Sequence, residues 1–252
     1  MPRYKLTIEY DGTPYAGWQI QKDCQTVQGR LAESIKAFSG EQIIPDGAGR
    51  TDAGVHALGQ VAHLDLEKPW RTDVVRDAVN AKLRPDPIAV VSAEIVGSDF
   101  DARFSAIRRH YTYKIVVRRA PLALDKNRVW LVHRHLEVAD MNEAAQLLVG
   151  EHDFTTFRAA ACQARSPVKT LDLLKVSQED DKIYIRAAAR SFLHSQVRSM
   201  VGSLKMVGEG KWPVAKIWQI LEHRDRNLCG ALAPPHGLYL AQVDYETQPS
   251  ED

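Results

Sequence analysis

Cysteine is scarce: Cys24, Cys162 and Cys229 are the only three, an odd number, far apart, with no CxxC pair. That excludes a disulfide framework and a cysteine-based zinc site, and it favours a reducing compartment, the cytoplasm. Long apolar runs are also missing. No stretch approaches the length of a membrane span, and Met-Pro-Arg-Tyr-Lys leads straight into a strand pattern with no apolar signal region. No low-complexity segment or short tandem repeat is present. Net charge is nearly absent too: 33 Lys and Arg against 32 Asp and Glu leave +1 over 252 residues. Such a balance does not announce a nucleic-acid binder. The charge is uneven, however, because Arg108, Arg109, Lys114, Arg118 and Arg119 gather around one aromatic segment. A local basic patch can bind phosphate in a nearly neutral protein.

The pattern along the chain is that of an α+β protein. Residues 3–10 alternate apolar and polar and read as a half-buried strand ended by Asp11-Gly12. Thr26 is a candidate N-cap for a helix with Val27, Leu31, Ile35 and Phe38 as its apolar stripe, stopped by Gly40. A strand over 60–67, a helix over 73–83 closed by Pro85 and a strand over 88–96 follow, and a connector runs from Gly97 to Phe104. The second half predicts a strand over 109–117, a helix over 140–149 capped by Asp140, and a hairpin of 168–177 with 182–190. A helix over 194–208, another opened by Pro213 and a last strand over 237–245 complete it. The expected division is an N-terminal half, 1–103, a C-terminal half, 104–246, and a flexible tail, 247–252. The two halves have similar order and suggest a pseudo-symmetric pair.

The densest signal outside the core is the segment Gly47-Ala48-Gly49-Arg50-Thr51-Asp52-Ala53-Gly54-Val55-His56-Ala57. Three glycines in eight residues call for positive φ or close approach to other atoms. On spacing alone the plainest reading is a tight turn with a surface Arg–Asp pair. A dinucleotide-binding turn fails because the third glycine of that fingerprint would fall at Asp52, and no helix opens there. A metal site built from Asp52, His56, His63 and Asp65 is a third reading.

The residues themselves go further than their spacing. The run from Gly49 through Ala57 resembles the signature of the tRNA pseudouridine synthase A family. Tyr10-Asp11-Gly12 with Gly17-Trp18-Gln19 resembles that family's opening. Phe104-Ser105-Ala106 and Arg109-His110-Tyr111-Thr112-Tyr113 resemble its central segment. Phe192-Leu193-His194 with Val197-Arg198 and Val201-Gly202 resembles its late helix, and Ala233-Pro234-Pro235 with Gly237-Leu238-Tyr239-Leu240 its end. One departure is Ser199, where the family usually has Asn.

The resemblance implies the pseudouridine synthase fold, with a mixed, largely antiparallel sheet flanked by helices. It also implies a homodimer, a tRNA partner, no cofactor and no metal, and uridines 38, 39 and 40 of the anticodon stem-loop as targets. By position, Asp52 matches the catalytic aspartate and Arg198 the arginine that pairs with it. Tyr111 matches the tyrosine that stacks on the target base, and Arg50 an arginine that holds the flipped nucleotide. These residue types suit the chemistry. The reaction neither gains atoms nor changes redox state, so it needs a nucleophile that adds and later leaves, which a carboxylate can be. Burial would push a carboxylate toward its neutral form, and a neighbouring arginine opposes that. An aromatic face amid cations suits an unstacked base. His56 or the Tyr111 hydroxyl could take the proton from carbon 5. Arg109, Arg158, Arg165 and Lys169 are candidate phosphate contacts. Two rivals remain on the residues alone: an RNA-binding module without catalysis, and a metal-dependent phosphate-ester hydrolase.

Overall fold

The computed structural model describes residues 1–246, so the expected tail at 247–252 lies outside the described residues. The fold is α+β, and the chain divides into two compact units. One holds residues 1–108 and those from 240 onward, the other residues 109–239.

The first unit contains β1 (Arg3–Tyr10), α1 (Val27–Ser39), β2 (Asp46–Gly47), β3 (His56–Asp65), α2 (Thr72–Leu83) and β4 (Ile88–Val96). β1 lies between β4 and β3 and is antiparallel to both, with Leu6 opposite Ala62 on one side and Ala93 on the other. Short β2 adds to β3, with Asp46 opposite His63. The alternation read in β1 is real: Tyr4, Leu6, Ile8 and Tyr10 are all buried. Thr26 caps α1 as expected, its side chain accepting from the Gly29 N–H, and Gly40 ends the helix at φ 83°. α2 spans the expected stretch with Val75, Val79 and Leu83 buried. β3 begins four residues before the predicted 60, because all but Leu58 and Asp65 of its ten residues are buried. A strand covered on both faces shows no alternation to read. The last strand, β10 (Leu238–Tyr245), pairs with β3 through its later residues. A Cβ on Gly59 would stand 2.7 Å from the Ala241 carbonyl oxygen, so β3 must carry glycine there. The Tyr245 hydroxyl donates to the Ala102 carbonyl at 2.7 Å, which fixes the chain's end to the 97–105 connector.

The second unit takes in β5 (Ala106–Val117) from Arg109 onward, β6 (Trp130–Val132), α3 (Val138–Gln146), β7 (Gly150–Asp153), β8 (Val168–Glu179), β9 (Lys182–Ala189), α4 (Gln196–Gly208) and α5 (Ala215–His223). The strands run in the order β5-β9-β8-β7, all antiparallel, with β6 added parallel to β5. The β8–β9 hairpin turns at Asp180, which has φ 55°. α3 starts two residues before Asp140, so Asp140 lies within its first turn and does not cap it. The Glu137 N–H instead donates to the Gly208 carbonyl at 2.8 Å. That long-range bond sets the start. Pro213 likewise stands just before α5, its carbonyl accepting from Lys216 at 2.9 Å. No helix among the described residues is long and apolar enough to cross a membrane.

Candidate active site

The glycine-rich segment becomes a loop between β2 and β3, clamped mostly through its backbone. The Ala48 N–H donates to Val61 O (2.7 Å), the Trp18 N–H to Thr51 O (3.1 Å), and the Val55 N–H to Asp52 O (3.1 Å). Side chains complete the clamp. The Tyr10 and Thr51 hydroxyls are 2.8 Å apart, and Gln60 Nε2 donates to Gly49 O at 2.8 Å. The glycines have separate reasons. Gly54 takes φ 75°, and a Cβ on Gly47 would fall 2.6 Å from the Trp18 ring. Gly49 has neither constraint, with no other atom within 4 Å of its would-be Cβ.

A second pair of glycines comes from the segment after β1. A Cβ on Gly12 would be 2.0 Å from Val55 O, and one on Gly17, itself at φ 100°, would be 2.5 Å from Thr51 O. Two stretches some forty residues apart therefore press backbone to backbone around Asp52. Asp52 itself is half-buried, and Arg50 is exposed with its Nε donating to Gln19 Oε1 at 3.1 Å. The clamp residues Tyr10, Gly12, Gly17 and Gln60 could not be singled out from the loop's own sequence, because each acts on it from a distance.

His56 is only 2% exposed. Its Nδ1 receives the Gly12 N–H at 3.0 Å. The Asp11 carboxylate lies 3.1 Å from the same Nδ1. That carboxylate also receives the Thr13 N–H and hydroxyl at 3.0 and 2.6 Å. His63 and Asp65 are also committed. His63 Nδ1 accepts from the Ala102 N–H at 3.1 Å. Asp65 takes a two-pronged bond from Arg3 at 2.8 and 2.7 Å, which holds its carboxyl below the usual carboxylate range. Among the described residues no three His, Cys, Asp or Glu side chains converge as a metal site.

In the second unit, Tyr111 and Tyr113 sit opposite Ala187 and Ile185 of β9. Tyr113 is core: it is fully buried and its hydroxyl donates to Pro234 O at 2.8 Å. Burial pushes that phenol's pKa far up. Tyr111 is half-exposed, with its ring edge-on to Phe192 at 5.2 Å between centroids. Of the phosphate candidates, Arg109 is nearly buried and donates to Arg190 O at 2.6 Å, whereas Arg165 is exposed.

Arg198 lies on α4, half-buried, its Nε donating to Ala233 O at 2.8 Å. The Ala233 N–H returns a bond to Arg198 O at 3.3 Å. Close approach on this helix is needed one turn on, where a Cβ on Gly202 would be 1.8 Å from Ala231 O. Ser199, the departure from the expected Asn, is fully buried and its hydroxyl accepts from Arg226 Nη1 at 2.7 Å.

With that geometry in view, the comparisons are direct. A family model described as tRNA pseudouridine synthase matches residues 6–105 and 144–246. The chain belongs to that family. A protein of Xanthobacter autotrophicus named tRNA pseudouridine synthase A is 63% identical over 97% of this chain and 100% of its own. Those of Afipia carboxidovorans and Parvibaculum lavamentivorans, with the same name, are 62% and 61% identical, covering 97% and 98% of this chain and all of theirs. A crystal structure of a Cbf5–Nop10–Gar1 complex overlays with a TM-score of 0.33 at 11% identity, over 80% of this chain and 53% of that one. Likeness at that level decides nothing.

Proposed function

We propose that this chain isomerises uridines 38, 39 and 40 of the tRNA anticodon stem-loop to pseudouridine, with Asp52 as nucleophile and without a cofactor. The observation that carries the reading is the loop of residues 47–56. Its backbone is locked from both sides, and it holds one half-buried carboxylate in a family whose members are named for this chemistry. A preorganised nucleophile of this kind loses little freedom on reaching the transition state.

The reaction breaks the bond from ribose to nitrogen 1, rotates the uracil and joins the ribose to carbon 5. Carbon 5 gives up a proton and nitrogen 1 gains one, so nothing is left over. Asp52 adds to carbon 6 of the base or to the anomeric carbon, and either adduct later expels the carboxylate. Arg198 supplies the positive charge that keeps such a carboxylate ionised. Tyr111 stacks on the flipped base and its hydroxyl, giving up its own proton in the exchange that protonates nitrogen 1, takes the one from carbon 5, while Arg50 holds the nucleotide out of its helix. The enzyme works in the cytoplasm as a homodimer.

The test uses tRNA transcripts tritiated at carbon 5 of uridine, incubated in EDTA with the wild type or Asp52→Ala. Release by the wild type alone is expected. No release by either protein, with the tRNA backbone cut only when EDTA is left out, would favour the metal-dependent hydrolase. Binding of tRNA without release by either protein would leave only an RNA-binding module.

A further inference from the structure

The connector before β5 carries an aromatic ring that the fold does not use. Phe104 is 74% exposed, although Phe100 four residues earlier is packed against Tyr245 at 4.9 Å and His63 at 6.1 Å. The exposure is not that of a loose loop. Asp101 Oδ1 accepts from both the Arg103 and Phe104 N–H groups at 2.8 Å, and the Ser105 N–H donates to Asp101 O at 2.9 Å. Ser105 Oγ accepts from the Asp101 N–H at 3.0 Å. Ala102, at the heart of this turn, is fully buried, its N–H given to His63 and its carbonyl to Tyr245. A rigid turn thus presents a large apolar ring to solvent.

A cation stands beside the ring. The Arg103 guanidinium lies 5.3 Å from the Phe104 ring centre, and Arg108 is exposed nearby in sequence. The Asp101 carboxylate of the same turn is turned inward to the Arg103 and Phe104 N–H groups. An aromatic face with a guanidinium beside it matches an unstacked nucleobase and its phosphate. An apolar protein partner has no use for that charge.

We infer that Phe104 and Arg103 form a second nucleobase platform, stacking an unpaired base of the RNA substrate other than the uridine that reacts. The inference rests on the tRNA reading above and deepens it. Both residues bind and position substrate, so their loss acts on KM and leaves the chemical step alone.

The experiment measures tRNA binding and tritium release for the full chain and for Phe104→Ala, Phe104→Trp and Arg103→Ala. Phe104→Ala is expected to weaken binding and raise KM by about 5- to 150-fold, the range for loss of one base–aromatic stack, with kcat little changed. Phe104→Trp should restore binding, and its added fluorescence should be quenched by tRNA. Arg103→Ala should reduce the slope of log affinity against log salt by about one. Unchanged binding by Phe104→Ala, an unquenched Trp, or a lowered unfolding midpoint would each overturn the inference. So would a change of oligomeric state in Phe104→Ala, which would assign the ring to a second copy of the chain. A wild type that binds tRNA through Phe104 but releases no tritium would remove the isomerase reading and leave this platform standing. An active wild type matched by Phe104→Ala would do the reverse.

Discussion

Replacing Gly12 by alanine tests whether the two chain segments around Asp52 are truly clamped. The new Cβ would stand 2.0 Å from the Val55 carbonyl oxygen and 2.6 Å from its carbon. Both are backbone atoms, so no side chain can rotate out of the way. Restoring an ordinary contact requires Val55 and Gly12 to part by roughly 1 Å, in a buried region where neighbours resist movement. Overpacking of this severity costs about 2–4 kcal/mol, which a protein of ordinary stability survives folded. The movement also strains the Gly12 N–H bond to His56 and the Val55 N–H bond to Asp52. A displacement of ~1 Å near a reacting group lowers the rate about 100-fold. Gly49→Ala is the control in the same loop. Nothing lies within 4 Å of its added carbon, so stability should stay within about 0.5 kcal/mol of wild type. Urea unfolding followed by circular dichroism reads the first quantity, and tritium release at saturating tRNA the second. Gly12→Ala with wild-type stability and rate would show that close packing beneath Val55 does not position Asp52.

Two further outcomes follow from local chemistry. Arg198→Ala should lose activity at least about 100-fold, while its stability falls only by the ~1–2 kcal/mol of a bond to the buried Ala233 carbonyl; a fully active variant would remove Arg198 from the mechanism. The Arg3–Asp65 pair gives a pH dependence. Its carboxyl is held low by Arg3, so the stability it adds is present above the unfolded value near 3.9 and is lost as pH falls through the depressed one. The stability difference between wild type and Asp65→Asn should therefore be level from about pH 7 to 5 and shrink below about pH 4. Its size stays within about 1 kcal/mol, because the Asp65 side chain is 39% exposed. A difference that grows on acidification would reverse the sign of the argument.

What the sequence made legible was whatever a short window contains. The alternation of β1, the Thr26 cap and the Gly40 stop of α1 are local patterns, and each appears as read. The start of α3 is not local: it depends on a bond from Glu137 to Gly208, some seventy residues away. The start of β3 was hidden for another reason, since burial on both faces erases the period of two. The site divides in the same way. Asp52 stands out through the unusual density of glycine and charge around it, but its clamp comes from Gly12, Gly17 and Tyr10. The glycine count itself overstated the constraint, because Gly49 needs neither positive φ nor close contact. Tyr111 and Tyr113 look alike at period two, and only burial and the bond to Pro234 tell the core tyrosine from the half-exposed one.

That distinction bears on which group takes the proton from carbon 5. His56 is the obvious base by type, yet its Nδ1 is occupied by the Gly12 N–H and the ring is 2% exposed. A histidine used to pin one backbone segment to another would have to abandon that bond to accept a proton at Nδ1. Tyr111 is half-exposed and keeps its hydroxyl on the same ring that would stack on the base. Removing only that oxygen separates the two roles. Tyr111→Phe should bind tRNA within about threefold of wild type, since the stacking face is unchanged. Tritium release should fall by about 100- to 10,000-fold, the usual contribution of a positioned base. If Tyr111→Phe releases tritium at the wild-type rate, the hydroxyl has no part in proton transfer. His56 would then have to give up its bond to Gly12 during turnover, and Gly12→Ala would be expected to change the pH dependence of the rate as well as its size.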